Sequence, residues 1–95
     1  MNDRRVVVTG TGIISSVGNN VEDFWNSLIS AKSGIDKVTK FDTTGYRTEI
    51  AGEVKDFDIE NYVSKKEGKK LDLFCQYAIA AADEAMDQAG LPRDL

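Results

Sequence analysis

Apolar residues fall into four patterns along the chain. Arg4 to Gly10 holds Val6, Val7 and Val8 in one uninterrupted β-branched run. A run without alternation predicts a strand covered on both faces, the usual state of a central strand in a parallel sheet. Gly10, Gly12 and Gly18 then punctuate a loop. Val21, Phe24, Trp25, Leu28 and Ile29 recur at i, i+3, i+4, i+7 and i+8, which predicts an amphipathic helix. Asn20 is placed to cap its start, with Asp23 able to reach back, and Ser33-Gly34 to end it in a left-handed turn.

Residues 35 to 48 are rich in turn formers (Asp36, Asp42, Thr43, Thr44, Gly45) and read as irregular. Residues 49 to 57, with Ile50, Val54 and Phe57, read as a second short strand interrupted by Gly52. Ser64-Lys65-Lys66-Glu67 has the capping-box form. It predicts one long helix to about Ala89, with an apolar face of Leu71, Phe74, Cys75, Ala78, Ala82, Ala85, Met86 and Ala89. Gly90 suits the residue after the helix, and Pro92 blocks continuation. The alanines make that face small enough for close packing. This inventory supplies one partner candidate for a first strand that asks for two edges and two covered faces. The expectation is the beginning of a larger α/β protein.

Composition narrows the chemistry. The chain has 95 residues, with 29% charged and 41% hydrophobic, as in folded, non-membrane domains. Sixteen acids against twelve Lys and Arg give a net charge of −4, which argues against a nucleic-acid partner. There is no histidine, which excludes a histidine-based catalytic dyad or triad and a histidine-ligated metal within these residues. One cysteine permits no internal disulfide and no paired thiolate site. No signal-like segment or membrane-length apolar run is present, so a cytoplasmic location is expected.

Three local features invite a functional reading. Thr9-Gly10-Thr11-Gly12 after a strand has the look of a dinucleotide-binding loop, but Ser15 stands where a third glycine is needed. The alternative is a structural turn. Cys75 lies on an apolar helix face beside Phe74, where a small buried hydrophobe is the simpler reading. Ser64 to Lys70 carries four lysines and one glutamate, a local charge of +3 in an acidic chain. A solvated face is the ordinary explanation. Lysines at a helix start oppose its dipole, however, so the cluster is also a candidate dock for an acidic partner.

The ordered set of fragments resembles the start of the elongating β-ketoacyl-acyl-carrier-protein synthases. The resemblance rests on Arg4 to Gly12, Ser15-Ser16-Val17-Gly18, Ser33-Gly34-Ile35, Phe41-Asp42, Ala51-Gly52 with Val54, Lys66-Glu67 through Leu71-Asp72, Phe74 and Tyr77-Ala78. Lys55-Asp56-Phe57 and the Lys66-Glu67 region look more like synthase II than synthase I. The resemblance implies an α/β fold, the N-terminal part of a thiolase-like layered αβαβα architecture, incomplete in this chain. Residues 1–95 would be part of the N-terminal half of that domain.

The same resemblance implies a homodimeric, cytoplasmic fatty-acid elongation enzyme working with acyl carrier protein, without metal or soluble cofactor. Its nucleophilic cysteine and two histidines would lie beyond this segment, because Cys75 does not match the nucleophile motif. No catalytic residue carries over, and the segment alone is expected to be inactive. Lys66, Lys69 and Lys70 match basic residues of the carrier-docking surface, with Lys65 adjacent. A nucleotide-binding Rossmann-type fragment and a stand-alone interaction module remain as alternatives.

Overall fold

The computed structural model describes residues 3–92. In chain order these form α1 (Val21–Ile29), β1 (Ile35–Lys37), β2 (Ile50–Gly52), a 3₁₀ turn (Ile59–Asn61), α2 (Lys65–Gly68) and α3 (Leu73–Ala89). β1 and β2 make an antiparallel pair in the register Ile35–Gly52, Asp36–Ala51 and Lys37–Ile50. A bond from the Val38 amide to the Glu49 carbonyl extends the hairpin by one rung.

Several expectations hold. Asn20 caps α1, its side-chain oxygen accepting from the Asp23 amide at 2.8 Å. α3 ends in a Schellman motif. Gly90, at φ +74°, donates to the Asp87 carbonyl, and Leu91 donates to the Met86 carbonyl.

Other expectations are corrected. Residues 4–10 carry no strand ladder among the described residues, and Val6, Val7 and Val8 are 91%, 67% and 82% exposed. A strand is defined by its partners, and none of the described residues pairs with this run. Residues 35–37, read as irregular, are β1, and the second strand shrinks to β2. After α1 it is Ala31, at φ +56°, that takes the left-handed turn. Gly34 serves a different purpose: it is buried, and a Cβ there would collide with Ser16.

The long helix is also divided. Asp72 takes the extended backbone of a helix N-cap (φ −67°, ψ 158°), so α2 stops at Gly68 and α3 starts at Leu73. Glycine and aspartate both favour ends over helix interiors. The packing face of α3 keeps Cys75, Ala85, Met86 and Ala89 of the expected stripe half-buried but differs from it in part. Phe74, Ala78 and Ala82 are exposed, while Ala80 is 1% exposed and Tyr77, Ala81 and Glu84 are half-buried.

Close packing does occur along α3, through glycine. A Cβ on Gly10 would overlap the Ala85 carbonyl oxygen, and one on Gly12 the Ala81 carbonyl oxygen. The first segment therefore lies directly on the α3 backbone. Side chains of α3 then hold it there. Gln88 Oε1 accepts from the Thr11 amide at 2.7 Å, and Glu84 Oε1 from the Ile13 amide at 3.0 Å. Glu84 Oε2 accepts from the Val21 amide at 2.8 Å, satisfying an otherwise unpaired donor in the first turn of α1.

Burial is thin. Ala80 is the sole buried apolar residue among those described, and the radius of gyration is 16.9 Å. A compact domain of this length has a radius of about 12 Å. On α1, Trp25, Leu28 and Ile29 of the predicted stripe are at least half exposed. Ser27, absent from that stripe, is buried and donates its hydroxyl to the Val17 carbonyl at 2.7 Å.

Candidate functional site: a lysine turn between two helices

The lysine turn is built on an aromatic support. Phe57 packs edge-on against Tyr77 of α3, with ring centroids 5.0 Å apart, and stacks on Tyr62 at 6.0 Å. This fixes residues 57–62 on α3 and places the 3₁₀ turn beneath α2. Asp58 caps that turn, its Oδ1 accepting from the Glu60 amide at 2.9 Å. Ser64 caps α2, its hydroxyl oxygen accepting from the Glu67 amide at 3.2 Å.

Helical bonding continues past the end of α2. The Lys69 amide donates to the Lys65 carbonyl, the Lys70 amide to Glu67 and the Leu71 amide to Gly68. Gln76 of α3 closes the junction, donating Nε2 to the Gly68 and Leu71 carbonyls at 3.3 and 3.2 Å. Lys65, Lys66, Lys69 and Lys70 thus sit on one anchored helical turn, and all four are exposed. Because α2 has only four residues, the helix-dipole cost expected for lysines at the start of a long helix largely disappears.

The other candidates separate from this turn. The helix break leaves Cys75 half-buried in the first turn of α3, not in a helix interior. The glycine loop has no free cradle for a phosphate. Its amides at Thr11 and Ile13 already bond to Gln88 and Glu84, and a carboxylate occupies the start of α1. Ser15 closes a tight turn instead, donating both its amide and its hydroxyl to the Gly18 carbonyl.

A polar recess of about 550 Å³ lies beside that turn, lined by Ser16, Asn19, Asp23, Asn26, Lys32 and Lys55 among others. The Lys55 ammonium there donates to the Ser16 and Gly34 carbonyls, both at 3.3 Å, so it braces the fold. Among the described residues no cluster of His, Cys, Asp or Glu is arranged to hold a metal.

Two anionic anchors went unnoticed in the sequence. Glu53 accepts from the Thr39 amide and hydroxyl and from the Lys40 amide. The Thr39 hydroxyl bond, first, and these amides hold its carboxyl below the ordinary glutamate range. Asp42 is lowered by its bonds from the Thr44 hydroxyl and amide. Asp42 belongs to the hairpin loop, which also carries the exposed Phe41–Tyr46 edge-to-face pair, and Glu53 grips the start of that loop from just after β2.

Residues 3–95 match the family model of the β-ketoacyl synthase N-terminal domain. The chain belongs to the β-ketoacyl synthase family. It is 53% identical over 91 residues to 3-oxoacyl-[acyl-carrier-protein] synthase 2 of Vibrio cholerae, covering 96% of the chain and 22% of that relative. The corresponding synthase 2 of Staphylococcus aureus (strain COL) is 46% identical over 89 residues, covering 94% of the chain and 22% of the relative.

Among solved structures, the ishigamide ketosynthase/chain length factor aligns with a TM-score of 0.78 and 41% identity, over 96% of the chain and 23% of that protein. The β-ketoacyl synthase segment is thus an N-terminal portion of the thiolase-like α/β fold, and it spans about a fifth of the length of the relatives it matches. No described helix is long and apolar enough to cross a membrane.

Proposed function

We propose that this chain is part of a 3-oxoacyl-[acyl-carrier-protein] synthase that elongates fatty acyl chains. The observation that carries this reading is the 53% identity, over nearly the whole chain, to a synthase 2. Residues 1–95 then form part of the N-terminal half of a condensing-enzyme domain. A single buried apolar residue among those described, exposed Val6 to Val8 and the large radius of gyration support that placement.

In the reaction, a cysteine thiolate takes the acyl group from its carrier as a thioester. Malonyl-carrier loses carbon dioxide, and the carbanion formed attacks the acyl carbonyl. The cysteine leaves as thiolate, and the 3-oxoacyl product is two carbons longer. The segment has no histidine, and its cysteine lies outside any nucleophile motif. Its contribution is scaffold and docking. The complete enzyme works as a cytoplasmic homodimer.

Lys65, Lys66, Lys69 and Lys70 dock the acyl carrier protein. Their exposure on one anchored turn, and the local charge of +3 on a chain of −4, support this role. Opposite charge on the partner speeds encounter and orients it more than it tightens final binding.

The test is charge reversal of Lys66, Lys69 and Lys70 in the full-length protein. The carrier-dependent rate should fall by roughly tenfold or more at low salt, with the loss shrinking as salt screens it. The rate with a small thioester mimic should fall far less. Equal losses with carrier and mimic, or no loss with either, would sink the docking role.

A further inference from the structure

The four lysines divide into two pairs with different surroundings. Lys65 and Lys69, one helical turn apart, line a cleft of about 260 Å³ together with Asp58, Ile59, Glu60, Gly68 and Gln76. Lys66 and Lys70 lie outside it. One wall of the cleft comes from the 3₁₀ turn and the other from α2.

Gly68 brings the walls together. A Cβ at that position would stand 2.9 Å from Ile59 Cγ2, so only glycine lets the 3₁₀ turn lie this close to α2. The closeness puts Asp58 and Glu60 on the same cleft as Lys65 and Lys69. Among the described residues these carboxylates close no ion pair on the lysines. They therefore form an anionic lip along one edge of the basic surface.

An acidic partner meets opposite forces on the two sides. Over Lys66 and Lys70 it meets one acid, Glu67 of the same turn, whereas over the cleft two acids, Asp58 and Glu60, repel it. A repulsive element beside an attractive one restricts orientation more than attraction alone does. We propose that Asp58 and Glu60 set the orientation of the docked carrier, directing its acidic surface onto Lys66 and Lys70 and away from the cleft. This rests on the reading of the lysines as the carrier dock.

The test uses the full-length protein and acyl carrier protein, with association rates measured by stopped-flow fluorescence across a salt series. Asp58→Asn with Glu60→Gln removes both charges, and the asparagine oxygen can still cap the 3₁₀ turn. Association should then rise by roughly threefold at low salt, and the gain should vanish at high salt. Turnover per encounter should fall, because misdirected encounters are no longer rejected.

In the parent background, Lys66→Ala with Lys70→Ala should slow association by roughly tenfold, and Lys65→Ala with Lys69→Ala by roughly twofold. Neutralising the lip should bring the second loss up toward the first. Equal losses for both lysine pairs, with no effect of the acids, would overturn the orienting lip and leave the lysine dock standing. Silence of every lysine variant would overturn the dock and the lip with it.

Discussion

The seam on α3 and the stretch from Val38 to Lys70 are held in different ways. At the seam, backbone meets backbone: Gly10 and Gly12 lie on the Ala85 and Ala81 carbonyls, and Glu84 and Gln88 take up the amides of the same segment. In the outer stretch, side chains reach back from solvent. Glu53 gathers the start of the hairpin loop, Asp42 its next turn, and Ser64 and Asp58 cap one-turn helices. The seam has no tolerance for added atoms. In the outer stretch the close approach at Gly68 is to the Ile59 side chain and not to backbone, and this stretch is where the charged surface is displayed. The tight seam and the proposed docking surface fall in separate parts of the chain.

Gly12→Ala in the full-length protein is the strongest way to break that contrast. The new methyl group meets a helix carbonyl, which cannot swing aside as a side-chain end can. Overpacking of this kind costs about 3 kcal/mol, more where backbone must shift. The expected outcome is loss of soluble protein or a large drop in the urea midpoint. A midpoint unchanged from the parent would show that the seam is looser than described.

Glu84→Gln should have the next largest effect. Its carboxylate accepts two amides, at Ile13 and Val21, and the amide replacement presents one oxygen and one donor in their place. One half-buried N–H loses its acceptor, for about 1–3 kcal/mol by equilibrium unfolding. If Glu84→Gln and Gln88→Ala together cost no more than Glu84→Gln alone, the two anchors act as one clamp.

Much of this division was legible in the residues, though not its logic. Asn20, Ser64 and Gly90 announce helix ends through local chemistry, and each does what its type suggests. Gly10 and Gly12 were visible as special, but their purpose depends on a helix some seventy residues away, as the 71-residue separation of Ile13 from Glu84 illustrates. No local pattern carries that information.

The helix break at residues 69–72 was missed because spacing continues through it. Leu71, Phe74 and Cys75 keep helical intervals even though Asp72 restarts the helix. For the lysines, the resemblance grouped 66, 69 and 70 as one docking set. The pairing of 65 with 69 against Asp58 and Glu60 required the 3₁₀ turn in place. Val6 to Val8 show the converse case: a β-branched run signals a strand, but none of the described residues pairs with it.

The smallest expected effect is acid release of the hairpin loop, and it sharpens the contrast by showing how lightly the outer stretch is held. Glu53 is half-buried, and its carboxyl is lowered chiefly by the Thr39 hydroxyl, then by the Thr39 and Lys40 amides. A carboxyl whose folded pKa is depressed contributes its stabilisation above its unfolded pKa and loses it as pH falls through the folded value. The loss therefore belongs to the acid side, below the ordinary glutamate range. Because its bonds reach only Thr39 and Lys40, the change should be local, leaving the cooperative unfolding of the protein intact. Amide exchange at Thr39 and Lys40, corrected for intrinsic rates, should lose protection through that window while Ile13 and Val21 keep theirs. Glu53→Gln should remove most of the pH dependence at Thr39 and Lys40. Protection that fell in parallel at all four amides would mean that the loop and the seam open as one unit, and the division between them would fail.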